Sequence, residues 1–345
     1  MITYVIIIVL VAFVFDFING FHDSANSIAT IVGTRVLSPV AAVGWASLFN
    51  FLGAFVGSTA VAKAVSSGFV VQSVVDPNVI LGGLLGAIFW DLITWWFGIP
   101  TSSSHAIIGG FAGAAVSKGG FAALLWGTKW EQTLLAIVLS PLFGALFAFL
   151  LMVLVLNLFV RSTPSKTDRL FRRGQLLSSG FLSYAHGQND AQKTMGIIVG
   201  LLVSTKAIFA GKTGLLGYMY LENNDHVPRW VEFGAYTAIA LGTLFGGWRI
   251  VHTMGSRVTR LRPVSGFCAE TGAATVLITA AQLGIPVSTT HTITGAIVGV
   301  GATTRLSAVR WSIARRIVWA WVITIPAAAI IAALAYRALA LVNIK

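Results

Sequence analysis

The chain has 345 residues, of which 56% are hydrophobic and 10% charged, with a mean hydropathy of +0.85. An average soluble domain carries roughly 25% charged residues, so a water-soluble globular fold is excluded. The formal net charge of +12 raises nucleic acid as a partner. Its placement removes that reading, because thirteen of the 23 Lys and Arg fall at Arg35, in 161–173, at 257–262 and at 305–316, all between apolar runs. That is the distribution the positive-inside rule gives cytoplasmic loops, so the partner is a lipid bilayer and no nucleic acid is expected.

The first element is a membrane helix. "VIIIVLVAFVF" (5–15) has no basic flank and no A-x-A-like cleavage site, and it runs directly into "DFINGFHDSANS" (16–27). Periodicity and Gly/Pro punctuation then place spans near 4–34, 40–62, 79–97, 100–117 and 132–160, a basic cytoplasmic loop over 161–175, and further spans near 176–205, 231–252, 264–283, 285–303 and 317–342. The first and sixth are expected to be interrupted at their polar motifs. Five spans in each half invert the second half relative to the first, which puts every basic cluster inside and both termini outside, in a multi-pass protein of the cytoplasmic (inner) membrane. The lone Cys268 cannot form an internal disulfide and is read as a buried apolar residue.

The halves also resemble each other. "GIPTSSSHAIIGGFAG" (98–113) aligns without a gap with "GIPVSTTHTITGAIVG" (284–299), "GFHDSANS" (20–27) pairs with "GQNDAQKT" (187–194), and "LGAFVG" (52–57) with "LGTLFG" (241–246). The expected fold is therefore all-α and integral to the membrane, with two inverted-topology repeats, 1–160 and 176–345, and a site near the bilayer midplane where the repeats meet.

Ionisable residues in mid-membrane are expensive and read as functional. Asp23 and Asp190 lie in mid-span with amides around them, Asn19, Asn26, Gln188, Asn189 and Gln192, and with Gly20 and Gly187 nearby. Such a set suits a cation bound by oxygen ligands, or a proton. Asp16 and Asn19 fit either that site or a packing network. In the other motif, proline followed by Ser102, Ser103, Ser104 or Ser288, Thr289, Thr290 is the signature of a helix start. Two such starts offer free N–H groups, hydroxyl donors and positive dipole ends to an oxyanion. His105 and His291 read equally as proton carriers or packing residues, and the glycines at 109, 113, 295 and 299 as helix contacts. An anion facing Asp23 and Asp190 in a dry interior needs a cation between them, so the two ions should bind together.

At this point "NGFHDSANSIAT", "AHGQNDAQKTMGII", "GIPTSSSH" and "GIPVSTTH" resemble the signatures of the inorganic phosphate transporter (PiT) family, over about residues 10–320. The resemblance implies a low-affinity phosphate symporter with phosphate and cation groups at Asp23, Asn26, Ser102, Ser103, Ser104, Asp190, Ser288, Thr289 and Thr290, and a family glutamate at Glu270. His22 precedes Asp23 here, and Lys193 stands where sodium-driven members carry an asparagine. A lysine ammonium can replace a sodium ion, which favours proton coupling, as in the short bacterial branch; Na⁺ at Asp23 and Asp190 is the alternative. Lys193 reads either as a phosphate ligand or as an ion-pair partner of Asp190 or Glu270. His22, Asn189 and Glu270 join the candidate coupling residues.

The expectation is phosphate import by alternating access, without a cofactor, with a homodimer left open. The rivals are permeases for sulfate, arsenate or a metal–phosphate complex, and a passive anion channel. An intramembrane hydrolase built on Ser104 and His105 is disfavoured, because adjacent residues on a helix do not face each other. No enzyme is expected.

Overall fold

A computed structural model describes residues 1–55 and 58–342 and is helical throughout, apart from one isolated bridge between Val70 and Leu124. The first half contains α1 (Ile2–Gly33), α2 (Pro39–Leu52), α3 (Ala60–Ser67), α4 (Pro77–Trp96), α5 (Ser103–Gly119) and α6 (Thr128–Leu158). The second contains α7 (Pro164–Ser204), the short α8 (Lys206–Phe209), α9 (Arg229–Phe245), α10 (Trp248–His252), α11 (Pro263–Gln282), α12 (Thr289–Ala302) and α13 (Trp311–Leu341). Val56 and Gly57, the last residues of the "LGAFVG" segment, lie outside the described residues.

The helix starts follow local chemistry. Proline, which has no N–H to waste in a first turn, opens α2, α4, α7 and α11. Asp76 caps α4 by accepting from the Val79 N–H at 2.8 Å. Five helices are long and apolar enough to cross a membrane: α1, α4, α6, α11 and α13. On α6 and α13 large apolar side chains face outward, among them Leu135, Val138, Leu142, Trp319, Val322 and Leu334. Lipid, not water, is the solvent for such surfaces, and the protein is a multi-pass membrane protein.

Two expectations are corrected. α1 and α7 run unbroken through their polar motifs instead of unwinding there. Gly20 and Gly187 serve close packing: a Cβ on Gly20 would lie 2.1 Å from the Ile239 carbonyl oxygen, and one on Gly187 2.6 Å from that of Asn50. The breaks occur elsewhere, at 97–102 and 283–288, where the short helices α5 and α12 begin. Second, 164–175 is not a loop but the first three turns of α7, begun by Pro164 and supported by the Asp168–Arg172 pair at 2.7 Å.

The two halves interlock. α1 packs on α9 while α7 packs on α2, and α13 covers α4 and α5 while α6 covers α11 and α12. Each half's motif helix and last helix thus rest on the other half. Small residues allow it: a Cβ on Gly109 or Gly113 would meet the carbonyl oxygens of Ile325 or Ala329 on α13 at 2.6 and 2.2 Å, and one on Gly295 or Gly299 those of Pro141 or Ala145 on α6 at 2.1 and 2.2 Å.

Candidate functional site

The paired serine motifs adopt one geometry. Gly98 and Gly284 both turn the chain with positive φ, 64° and 65°, a conformation glycine reaches without strain. Ser102 then accepts from the His105 N–H, and Ser288 from the His291 N–H, each at 3.2 Å. The two helix starts meet: the rings of His105 and His291 pack edge to face with centroids 4.8 Å apart, and His291 stacks on Trp321 at 3.9 Å. Neither histidine hydrogen-bonds to Asp23 or Asp190 among the described residues, which favours their packing role.

Asp190 on α7 sits where these helix starts converge. The Thr289 hydroxyl donates to its Oδ2 at 2.9 Å and the Ser104 hydroxyl to its Oδ1 at 3.4 Å. The Lys193 ammonium, one turn along α7, bonds to Asp190, to the Ser104 hydroxyl and to the Val287 carbonyl, the last at 3.1 Å. All are buried. Lys193 is therefore the ion-pair partner of Asp190, not of Glu270. From α1, Asn26 donates to Thr289 and Thr290 at 3.2 and 2.9 Å.

The carboxyl of Asp23 bonds through Oδ1 to His22 Nδ1 at 2.6 Å, and its Oδ2 has no partner. The other ring nitrogen of His22, Nε2, lies 3.1 Å from the Thr94 hydroxyl and 3.4 Å from that of Thr101. One ligand atom each from Asp23, His186 and Asp190 lies within 4.8 Å of the others, a spacing able to hold a cation. His186 is one helical turn before Asp190, its Nε2 3.1 Å from Oδ2.

A model of the phosphate transporter family matches residues 19–332. The chain belongs to the phosphate transporter family. Among its relatives is a protein of Rhizobium meliloti (strain 1021) named "Probable low-affinity inorganic phosphate transporter", 54% identical over 335 residues that cover 97% of this chain and 96% of the relative. A Bacillus subtilis (strain 168) protein of the same name is 43% identical and covers 96% of each chain. A solved structure titled "The sodium-dependent phosphate transporter" superposes with a TM-score of 0.85 at 25% identity, over 98% of this chain and 99% of that one. These relatives are transporters, not enzymes, and so is the family.

Within this phosphate transporter family member, the structure brings together most of the residues singled out in the sequence and separates two. Asp23, His22, Asn26, Asp190, Lys193, Ser104, Thr289 and Thr290 share one buried polar cluster, flanked by the capping residues Ser102 and Ser288 and by Ser103. Asn189 turns away and donates to the Leu277 carbonyl on α11 at 2.8 Å. Glu270 belongs to a second cluster, accepting from Ser178 at 2.5 Å, Thr30 at 2.6 Å and Gln175 at 2.8 Å. Thr30 is one turn beyond Asn26 on α1, so the clusters share a helix but no direct bond.

Sequence reading missed His186 and Asp91. The i, i+4 spacing of His186 and Asp190 on a helix was a usable signal for the first. For the second it was the lone acid inside the apolar span "GAIFWDLITWW" (86–96). Asp91 on α4 is fully buried, with Ser103, His22, Asp23 and Asp190 as its polar neighbours.

Proposed function

We propose that the protein imports inorganic phosphate across the cytoplasmic membrane by proton symport with alternating access. The observation that carries the reading is the seat of Asp190. A carboxylate of the chain itself takes the hydroxyl donors at both helix starts, Ser104 and Thr289, with Lys193 bound alongside. Phosphate is an oxyanion of the same appetite, and helix N-termini with hydroxyl donors suit it. To occupy that place phosphate must displace the Asp190 carboxylate, and a proton placed on Asp190 releases the donors. Binding of the proton and of phosphate are then one linked event.

In this reading Ser102, Ser103, Ser104, Ser288, Thr289, Thr290, Asn26 and Lys193 hold phosphate. Asp23, Asp190, His22 and His186 carry the coupling charge, and Glu270 and Asn189 stabilise the helices around them. The matched geometry of 98–105 and 284–291 supports two inverted repeats whose interface holds the site. The basic loops support an orientation with both termini outside. Because the halves interlock, the moving bodies are not residues 1–160 against 176–345 but groups of helices drawn from both.

Sodium coupling is the second reading, favoured by the sodium-dependent structural neighbour and by the Asp23–His186–Asp190 spacing. Proteoliposome uptake of radiolabelled phosphate separates the two. An inward proton gradient in sodium-free buffer should drive accumulation, and Lys193→Asn should weaken that response while introducing stimulation by sodium. Uptake driven by sodium alone in the unmodified protein would refute the proton assignment.

Asp91 enters the same scheme as a buried acid beside His22 and Asp23. Asp91→Asn should change the unfolding temperature little, because asparagine keeps the shape and a polar partner for Ser103 while removing the cost of burying an acid. Proton-driven uptake should fall about 100-fold or more, the lower end of the scale on which positioned proton-transfer groups act. A melting curve alongside the uptake assay checks both halves of this expectation.

A further inference from the structure

A second cavity, separate from the cluster around Asp190, opens where α6, α11 and α12 end or begin on the basic side of the molecule. Its volume is about 740 Å³, within the range of small-molecule sites, and its walls include Arg260, Arg262, Arg305 and Arg310. No acidic residue lines it, and none of the four guanidinium groups forms an ion pair among the described residues. In the 161–173 segment Arg172 is paired with Asp168, and none of its other basic residues lines this cavity among the described residues. Four exposed arginines around one concave space leave a positive field that an anion would neutralise, and arginine forks match the oxygens of a phosphate group two at a time. Thr304 and Ser307 add hydroxyl groups to the same wall.

One side of the wall is apolar. Met152 and Leu156 of α6 close it, and Leu156 is 49% exposed on the helix face that meets lipid. Two residues later α6 ends, and the exposed Leu158 and Val160 give way to Arg161. That change from apolar to basic marks the level of the membrane–water boundary. The cavity therefore has arginines at headgroup depth and a greasy side continuous with the acyl region. A tendency of basic residues to gather in cytoplasmic loops accounts for neither the concave volume nor the apolar wall.

We propose that this cavity binds a phosphate group, carried by the headgroup of an anionic phospholipid whose chains lie along α6. Basic pockets between helix ends on the cytoplasmic side recognise such headgroups. Free inorganic phosphate shares the recognised chemistry but leaves the Met152–Leu156 wall without an occupant.

Native mass spectrometry of the full chain in uncharged detergent, titrated with phosphatidylglycerol or phosphatidylcholine, tests the proposal. Phosphatidylglycerol should be retained preferentially, and the triple variant R260Q/R305Q/R310Q should lose at least about ten-fold of that binding. The variant R161Q/R169Q/R173Q, which removes as many charges from the neighbouring segment, should retain it. Should the triple variant fail to elute as folded protein, Arg305→Gln alone is measured, with the same direction expected. Equal retention of phosphatidylglycerol by the wild type and the cavity variants overturns the site. If lipid is not preferred but inorganic phosphate stabilises the wild type and not the cavity variants, the cavity takes free phosphate and the headgroup assignment falls.

Discussion

Asp190→Asn is expected to abolish phosphate uptake and to destabilise the fold at the same time. Asp190 is the counter-charge of Lys193 in a fully buried pair and the acceptor for Ser104 and Thr289. Removing one partner of such a pair leaves the other charge stranded, at a cost of about 3–5 kcal/mol. The double variant Asp190→Asn/Lys193→Met removes both charges and should recover most of the lost thermal stability. Uptake should stay absent in the double variant if, as proposed, the Asp190 carboxylate exchanges with phosphate. Melting curves and proteoliposome uptake on the two proteins separate structural from transport roles. Recovery of uptake together with stability would reduce Asp190 to a packing residue.

Gly113→Val and Gly299→Val should each sharply lower the yield of monodisperse protein and its unfolding temperature. At both positions even a Cβ would sit 2.2 Å from a backbone carbonyl oxygen of the covering helix, Ala329 on α13 or Ala145 on α6. Backbone cannot yield as a flexible side chain can, so the cost exceeds the 1–3 kcal/mol or so typical of overpacking. Gly44 on α2 is the control, since a Cβ there meets nothing within 4 Å. Gly44→Ala should be neutral or slightly stabilising, because a mid-helix glycine costs about 1 kcal/mol relative to alanine. Size-exclusion profiles and thermal melts of the three proteins check the contrast.

Much of this architecture was legible because it depends on local chemistry. Proline and serine at 100–102 and 286–288 fix the starts of α5 and α12, and both appear with the expected caps. The stripe of small residues at 109, 113, 295 and 299 needed only the rule that close helices exclude side chains. What failed was the inference that polar residues and glycine imply an unwound helix. Asn26 and Asp190 find partners on other helices, so α1 and α7 keep their own backbone bonds intact. The second cluster was hidden for a related reason. Glu270, Gln175 and Thr30 come from three helices far apart in sequence, and no spacing rule connects them. Asp91 carried a signal of its own, a solitary acid in an apolar span, which the louder duplicated motifs obscured.

The exchange of covering helices has a bearing on how the molecule is made. Synthesis delivers α4 and α5 early, yet the surface they turn toward α13 has no occupant until the final span has entered the bilayer. For that interval Gly109 and Gly113 expose backbone that only α13 is shaped to bury. Helices α4 and α5 therefore cannot complete their packing before the last helix, and quality control in the membrane has a long window in which to detect a chain whose last helix never arrives.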